Sequence, residues 1–241
     1  MSRTAAIVPA AGRGERLGPG APKALRTLGG VPMLVHAVRA LASARAVDLV
    51  VVAAPEDGVD DVVALLTEHG LLDAAPGRAG AVVVAGGDTR QDSVARALQA
   101  LPDDVDVVLV HDAARPLVPT SLVDAVAAAV RGGADAVVPG LAVADTIKSV
   151  DPSDLVSATL DRSALRAVQT PQGFRRATLT AAHAAADPDA PATDDAGLVE
   201  RLGGAVLVVP GDEEAFKVTR PLDLVLAEAV LSRRRAAGVV A

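Results

Sequence analysis

The chain has 241 residues, enough for one large domain, and 51% of them are apolar, which is ample for a hydrophobic core. A net charge of −7 and only two aromatic side chains, both Phe, argue against a nucleic-acid-binding protein. The chain has no Cys, which excludes disulfides, thiolate metal sites and a Cys nucleophile. The first residues do not form a signal peptide, and no later apolar run is long enough for a membrane span, so we expect a cytoplasmic protein without membrane contact.

Short Val-rich runs alternate along the chain with amphipathic stretches. The runs are continuously apolar, as is typical of strands that helices cover on both faces. They predict strands at 4–8, 47–54, 81–87, 105–112, 134–140 and 205–211. Apolar residues at helical spacing predict helices at 31–43, 59–70, 88–101, 120–133 and 220–235. Together they indicate one three-layer α/β/α domain over residues 1–241, built on a mostly parallel sheet.

Small polar residues mark the expected helix starts. Ser, Thr, Asp and Asn accept hydrogen bonds from the free N–H groups of a first helical turn. The N-caps predicted on this basis are Asp88 or Thr89, Thr120 and Thr219.

One segment departs from this alternation. Residues 143–162 alternate apolar and polar side chains around the turn sequence "DPSD", which predicts a β-hairpin with its two strands at 145–150 and 155–160. Because a lone hairpin is only marginally stable, we expect this arm, residues 143–165, to pack against a second subunit. A local extension of the sheet edge is the alternative.

The first predicted strand runs into a loop of glycine, proline and charge, "PAAGRGERLGPGAPKAL" at 9–25. Ligands of open α/β sheets bind beyond the carboxyl ends of the strands, which is where this loop lies. Glycines allow backbone N–H groups to face an anion, while Arg13, Arg16 and Lys23 supply positive charge. A tight turn is the plain alternative, but the basic residues favour a polyphosphate site.

Two common phosphate-binding motifs do not fit the loop. The dinucleotide pattern G-x-G-x-x-G fails because Leu17 stands at its third glycine, and no Gly-Lys pair exists for a P-loop. The sequence therefore favours neither a nicotinamide enzyme nor a P-loop hydrolase.

With the loop, seven further motifs follow in order: "GGDTRQDSV", "VHDAARP", "DTIK", "DR", "QTPQ", "TDDA" and "KVTRPLDL". Together they resemble the methylerythritol-phosphate cytidylyltransferase family of the non-mevalonate isoprenoid pathway, over nearly the whole chain. The resemblance implies a Rossmann-like nucleotidyltransferase fold with a protruding arm. It also implies transfer of a cytidylyl group from CTP to methylerythritol phosphate, with release of pyrophosphate.

By this resemblance, Arg16 and Lys23 would stabilise the charge that builds on the α-phosphate and the pyrophosphate, while Arg162 and Lys217 would position the acceptor. The residues implied for the nucleotide pocket are Pro9, Ala10, Ala11, Gly12, Gly14, Gly87, Asp88, Ser93, Asp112 and Ala113. Magnesium bridging the phosphates is expected, and Asp112 would contact either the metal or the substrate.

The acceptor site would draw on several of the later motifs. Its implied members are Asp112, Arg115, Thr146, Arg162, Thr170, Thr193 and Lys217. Arg115 would clamp the substrate phosphate or pair with Asp112. In the family the arm reaches over a partner subunit, so Thr146, Arg162 and Thr170 would contact substrate held mainly by the other chain of a homodimer. Thr193 has the alternative role of a helix N-cap.

Two other functions stay open at this stage. A ribitol-phosphate cytidylyltransferase would share the loop and much of the pocket but use another acceptor. A regulatory domain could bind the nucleotide without turnover, although it would not need so many charged residues. Assays of pyrophosphate release with each acceptor would separate the three.

Overall fold

The computed structural model describes residues 3–12, 23–187, 190 and 192–238. The strands of its main sheet are β1 (Arg3–Pro9), β4 (Leu49–Ala54), β5 (Gly80–Ala85), β6 (Val105–Val110), β7 (Ala136–Ala142), β10 (Arg166–Val168), β11 (Gln172–Arg175) and β12 (Val206–Pro210). They lie in the order β10-β7-β11-β6-β1-β4-β5, with β12 also paired to β7. Two short pairs stand apart from it: β2 (Thr27–Leu28) with β3 (Val31–Pro32), and β8 (Lys148–Val150) with β9 (Val156–Thr159).

The sheet is mostly parallel, as the sequence predicts. Strands β6, β1, β4 and β5 run parallel to one another, and β12 runs parallel to β7. Strands β10 and β11 are antiparallel additions next to β7, and β11 also pairs with β6. The sequence did not predict these two strands, because β10 is exposed throughout and β11 has only four residues.

Helices cover both faces of the sheet and complete the three layers. They are α1 (Met33–Ala42), α2 (Val59–Glu68), α3 (Arg90–Gln99), α4 (Thr120–Arg131), α5 (Arg176–Ala184), α6 (Asp195–Arg201) and α7 (Pro221–Ala236). Strand β1 shows the arrangement: Ala6 and Val8 pack with α1, α2 and α4, while Ala5 and Ile7 pack with α3, α5 and α6. Successive strand residues point to opposite faces, so a fully apolar strand supports two cores.

The predicted hairpin exists, with shorter strands than expected. Its turn is organised by Asp151, whose carboxylate accepts hydrogen bonds from the N–H groups of Ser153 at 2.8 Å and Leu155 at 3.0 Å. Apolar side chains on the hairpin remain exposed, including Leu155 at 66% and Val156 at 60%. The hairpin is therefore an arm that its own chain leaves largely uncovered.

The helix starts differ from the prediction at two of three places. Thr89 is the N-cap of α3, in a reciprocal pair with Asp92. Thr120 is instead the first residue of α4, after Pro119, and Arg220 rather than Thr219 is the N-cap of α7. The Asp223 carboxylate accepts hydrogen bonds from the N–H groups of Thr219 and Arg220, the two residues before α7. The side chain that caps this helix therefore belongs to a residue within the helix. None of the described helices is long and apolar enough to cross a membrane.

Candidate active site

A cavity of about 260 Å³ opens at the carboxyl edge of the parallel strands. Strands β1, β4, β5 and β6 all end at this edge because they run in the same direction. The cavity is lined by Pro9, Ala10, Ala11, Gly12, Ala24, Asp88, Thr89, Arg90, Ser93, Asp112, Ala113, Ala114 and Lys217. Eight of the ten residues predicted for the nucleotide pocket are in this set.

Of the predicted phosphate loop, the described residues are the two ends, 9–12 and 23–25. Gly14 and Arg16 lie outside the described residues, and so does the side chain of Lys23, whose backbone begins a short 3-10 turn at Lys23–Leu25. From the loop, residues 9–12 and Ala24 line the cavity. The predicted roles of Arg16 and Lys23 therefore stay predictions.

Gly87 and Ser93 join the end of β5 to the start of α3. The Ser93 hydroxyl accepts a hydrogen bond from the Gly87 N–H at 3.1 Å and donates to the Thr89 carbonyl at 2.9 Å. A Cβ atom on Gly87 would lie 2.3 Å from the Cβ atom of Asp92, so only glycine fits here. Gly87 shapes this wall from behind, while Asp88 lies exposed on the rim.

Asp112 is the centre of the charged part of the cavity. Its Oδ2 atom lies 2.8 Å from the Lys217 Nζ atom, and its Oδ1 atom accepts a hydrogen bond from the Arg90 Nε–H at 3.3 Å. Burial alone would raise the pKa of Asp112, but Arg90, Lys217 and Arg115 outweigh burial and hold this pKa well below its usual range. Asp112 is thus a carboxylate anion held between cations.

Sequence reasoning missed Arg90, although it stands in the motif "GGDTRQDSV". Arg90 is the first residue of α3, where the helix dipole disfavours a cation. A cation at that position needs anionic partners, and this signal was available in the sequence. The partners, Asp112 and Asp195, are 22 and 105 residues away and could not be identified from it.

Of the two alternatives for Arg115, the structure favours the ion pair with Asp112, formed at long range. Its guanidinium is buried and donates from Nη1 to the Ala215 carbonyl at 2.7 Å and from Nη2 to the Val168 carbonyl at 3.3 Å. Its Nε atom lies 4.0 Å from Asp112, which is too long for a hydrogen bond. In this conformation Arg115 does not line the cavity, and it fastens β10 and the segment before Lys217 to the site.

Thr170 does not lie with Thr146 and Arg162, the residues with which it was predicted to contact substrate held by the other chain. It is 5% exposed, and its hydroxyl accepts a hydrogen bond from the Asp112 N–H at 3.0 Å. The same hydroxyl lies 3.0 Å from the His111 Nδ1 atom. Thr170 therefore supports the Asp112 backbone of its own chain, because β11 brings it back beside β6.

Besides Arg115 and Thr170, three further predicted acceptor residues lie outside the cavity of their own chain. Thr146 and Arg162 are exposed on the arm, where Arg162 Nη1 donates to the Ala144 carbonyl at 2.5 Å. Thr193 is exposed before α6, but the N-cap of that helix is Asp194, so the alternative role of Thr193 is wrong. The structure brings Asp112 and Lys217 together and leaves these three residues apart.

The cavity offers few ligands for a metal ion. The carboxylates that line it are Asp88 and Asp112, and the described part of the chain holds no cluster of three or more His, Asp or Glu residues suited to a metal. Both oxygens of Asp112 already face cations. These residues fit an ion held largely by phosphate oxygens, because Mg²⁺ commonly takes one or two carboxylates and completes its shell with phosphates and water.

Comparison with known proteins covers almost the entire chain. The sequence model of the family described as "IspD: 2-C-methyl-D-erythritol 4-phosphate cytidylyltransferase" matches residues 4–233. A protein of that name from Streptomyces coelicolor is 64% identical over 240 residues, covering 97% of this chain and 87% of the relative. Another, from Frankia casuarinae, is 60% identical over 231 residues, covering 96% of this chain and 82% of the relative.

Solved structures agree with the sequence comparison. The crystal structure of 2-C-methyl-D-erythritol 4-phosphate cytidylyltransferase from Thermus thermophilus has a TM-score of 0.74 and 39% identity, covering 96% of this chain and 100% of that one. That of 4-diphosphocytidyl-2C-methyl-D-erythritol synthase from Anaerococcus prevotii has a TM-score of 0.80 and 26% identity, covering 96% and 99%. The resemblance seen in the motifs is confirmed, and the chain belongs to the 2-C-methyl-D-erythritol 4-phosphate cytidylyltransferase (IspD) family.

Proposed function

We propose that this chain transfers the cytidylyl group of CTP to 2-C-methyl-D-erythritol 4-phosphate, in the non-mevalonate route to isoprenoid precursors. The observation that carries the proposal is the family match over residues 4–233. The cavity supports it, because Asp112 and Lys217 stand beside the loop predicted to hold the triphosphate. The proposal places the enzyme in the cytoplasm, which a chain without Cys suits.

The proposed reaction is a single displacement at phosphorus. An oxygen of the acceptor phosphate attacks the α-phosphorus of CTP, and the bond from that phosphorus to the bridging oxygen of the β-phosphate breaks. The products are 4-diphosphocytidyl-2-C-methyl-D-erythritol and pyrophosphate. Such a transfer depends on positioning and on neutralising charge rather than on a protein nucleophile.

The described residues divide between the two substrates. The small residues of segment 9–12 and Ala113 leave space for the nucleotide against the backbone, next to Ser93. The Lys217 ammonium would hold the acceptor phosphate, with Asp112 fixing where that ammonium stands. Arg16 and Lys23 keep their proposed roles on the triphosphate, which rest on the family resemblance.

The proposal includes a magnesium ion. Asp88 is the more open of the two carboxylates that line the cavity, since both oxygens of Asp112 face cations. Asp88, with Asp112 as the second candidate, would hold the ion together with the phosphates of CTP. When bound there, the ion would neutralise charge on the triphosphate.

The proposal also includes a homodimer formed through the arm. Support comes from the exposed apolar side chains of the arm, which a partner would cover. Thr146 and Arg162 lie outside the cavity of their own chain, as expected if they serve the cavity of the partner.

The decisive experiment is a pyrophosphate-release assay that crosses the four nucleoside triphosphates with methylerythritol 4-phosphate and ribitol 5-phosphate. We expect release with CTP, methylerythritol phosphate and Mg²⁺, and none when EDTA replaces the metal. In Lys217→Gln, kcat/KM should fall about 10²–10³-fold, because the acceptor phosphate loses its cation. Arg45→Gln removes a cation whose side chain is 94% exposed and should leave turnover unchanged.

Each other outcome of the assay contradicts part of the proposal. Release with ribitol phosphate alone would make the chain a ribitol-phosphate cytidylyltransferase. Binding of CTP without release for either acceptor would indicate a regulatory domain. Full activity of Lys217→Gln would remove Lys217 from the acceptor site.

A further inference from the structure

Four side chains form one continuous line of contacts that begins in the cavity and ends between two helices. Arg90 donates from Nε to Asp112 Oδ1 at 3.3 Å and from Nη1 to Asp195 Oδ2 at 2.7 Å. The other oxygen of Asp195 lies 2.9 Å from the His183 Nε2 atom. A single guanidinium therefore joins the carboxylate in the cavity to a second carboxylate outside it.

The far end of this line is rigidly held. The side chains of Asp195 and His183 are 1% and 5% exposed, and they lie in the first turn of α6 and the last turn of α5. Burial alone would raise the pKa of Asp195, but His183 and Arg90 keep it below its ordinary value. A buried carboxylate that would lose most of its hydrogen bonds on moving is a fixed anchor for Arg90.

The near end of the line divides the two oxygens of Asp112 between different cations. Oδ1 faces Arg90, and Oδ2 faces Lys217 at 2.8 Å. Rotation of the carboxylate would break both contacts at once. The direction in which Arg90 holds Oδ1 thus determines where Oδ2, and with it the Lys217 ammonium, is found.

We propose that Arg90 is a positioning residue for the acceptor: anchored on Asp195, it sets the orientation of the Asp112 carboxylate and thereby the place of the Lys217 ammonium. The role of Lys217 in this statement rests on the proposed function. Arginine suits the task because its Nε and Nη1 donors lie on separate nitrogen atoms and point to the two carboxylates in a fixed geometry, whereas the three donors of a lysine ammonium share one nitrogen atom and rotate freely.

The kinetic test compares Arg90→Gln, Arg90→Lys and Asp195→Asn with the wild type and with Arg45→Gln. In Arg90→Gln, kcat/KM for the acceptor should fall about 10–100-fold, because the Lys217 ammonium is misplaced. The KM for CTP should stay within about threefold of the wild-type value. Arg90→Lys should recover part of the loss, and Asp195→Asn should reproduce it in weaker form.

A double variant shows whether Arg90 works through its anchor. Arg90→Gln combined with Asp195→Asn should be no worse than Arg90→Gln alone, because both changes break the same line of contacts. Additive losses would overturn the proposal. A rise in the KM for CTP without a change for the acceptor would also overturn it, since Arg90 lines the cavity and would then contact the nucleotide directly.

Crystal structures of the wild type and of Arg90→Gln test the inference without any turnover. We expect the variant to keep the fold while its Asp112 carboxylate rotates and the 2.8 Å contact with Lys217 is lost. An unchanged Asp112–Lys217 pair would refute the positioning role. If the wild type transfers nothing to either acceptor, the proposed function fails, but the crystallographic result still decides what Arg90 does.

Discussion

At the scale of single residues, His111 shows how a buried ring supports the carboxylate beside it. Its Nε2 atom lies 3.1 Å from the Arg115 carbonyl, which can only accept, so Nε2 carries the hydrogen. The Nδ1 atom then accepts from the Thr170 hydroxyl, which in turn accepts from the Asp112 N–H. The His111 ring, the Thr170 hydroxyl and the Asp112 N–H all keep their hydrogen bonds only while the ring is neutral.

This arrangement predicts a pH dependence of stability. Burial lowers the pKa of His111 to about 4, against an ordinary value of 6.5. As the pH falls below about 6.5 the unfolded chain takes up a proton that the folded chain refuses, so stability that is full above this pH is lost on acidification. His111 should remove about 2 kcal/mol from the free energy of unfolding between pH 7 and pH 5 in metal-free buffer.

Denaturant titrations at several pH values measure this loss. His111→Gln should be less stable at pH 7 yet lose about 2 kcal/mol less on acidification. Thr170→Ser keeps the hydroxyl, so its free energy of unfolding should fall with decreasing pH as steeply as that of the wild type. If the free energy of unfolding of His111→Gln also falls as steeply as in the wild type, the effect comes from other groups.

At the scale of elements, the parts that could be predicted are those with a clear local pattern of apolar residues. Apolar patterns predict the strands at 4–8 and 105–112 and the helix at 88–101. The motifs "VHDAARP" and "KVTRPLDL" point to Asp112 and Lys217. The region from β10 to α6 has no such pattern. Its order comes from distant bonds, such as those of the Gln172 side chain to Asp194 and to the Ala196 N–H. Arg90 carries a local signal, its place at the start of α3, but its two partners are also distant in sequence.

The junction of β5 and α3 gives a prediction at this scale. In Gly87→Ala the new methyl group would lie 2.3 Å from Asp92 Cβ and 3.2 Å from the Asp92 carbonyl carbon. Asp92 forms the capping pair of α3, so relief of the clash must disturb the first helical turn. We expect a loss of about 1–3 kcal/mol in the free energy of unfolding.

Gly12→Ala is the matched control, because no atom of the described residues lies within 4 Å of the methyl group it would add. Its free energy of unfolding should stay within about 0.5 kcal/mol of the wild type. Equal effects of the two substitutions in thermal or denaturant unfolding would show that the clash at Gly87 is absorbed without cost.

At the scale of the whole molecule, the proposed homodimer divides the candidate site between two chains. The cavity holds Asp112 and Lys217, while Arg162 lies exposed at the base of the arm. In the proposed dimer, Lys217 of one chain and Arg162 of its partner would serve the same acceptor. The arm would then be part of the partner's active site as well as a dimer contact.

Mixing two variants that are each expected to lose activity tests this sharing. Lys217→Gln keeps the arm and loses the cavity cation, whereas Arg162→Gln keeps the cavity and loses the arm cation. If the site is shared, a mixed dimer has one complete site, on the Arg162→Gln chain. Random exchange of chains makes half of the dimers mixed, so the mixture should regain about a quarter of wild-type pyrophosphate release.

The control for the mixing experiment is each variant exchanged with itself, which should stay inactive. Light scattering should show dimers throughout. If Arg162 acted on the cavity of its own chain, every chain in the mixture would lack one cation, and no activity would return. Monomers with full wild-type turnover would contradict the shared site outright, because no partner would be present to supply an arm.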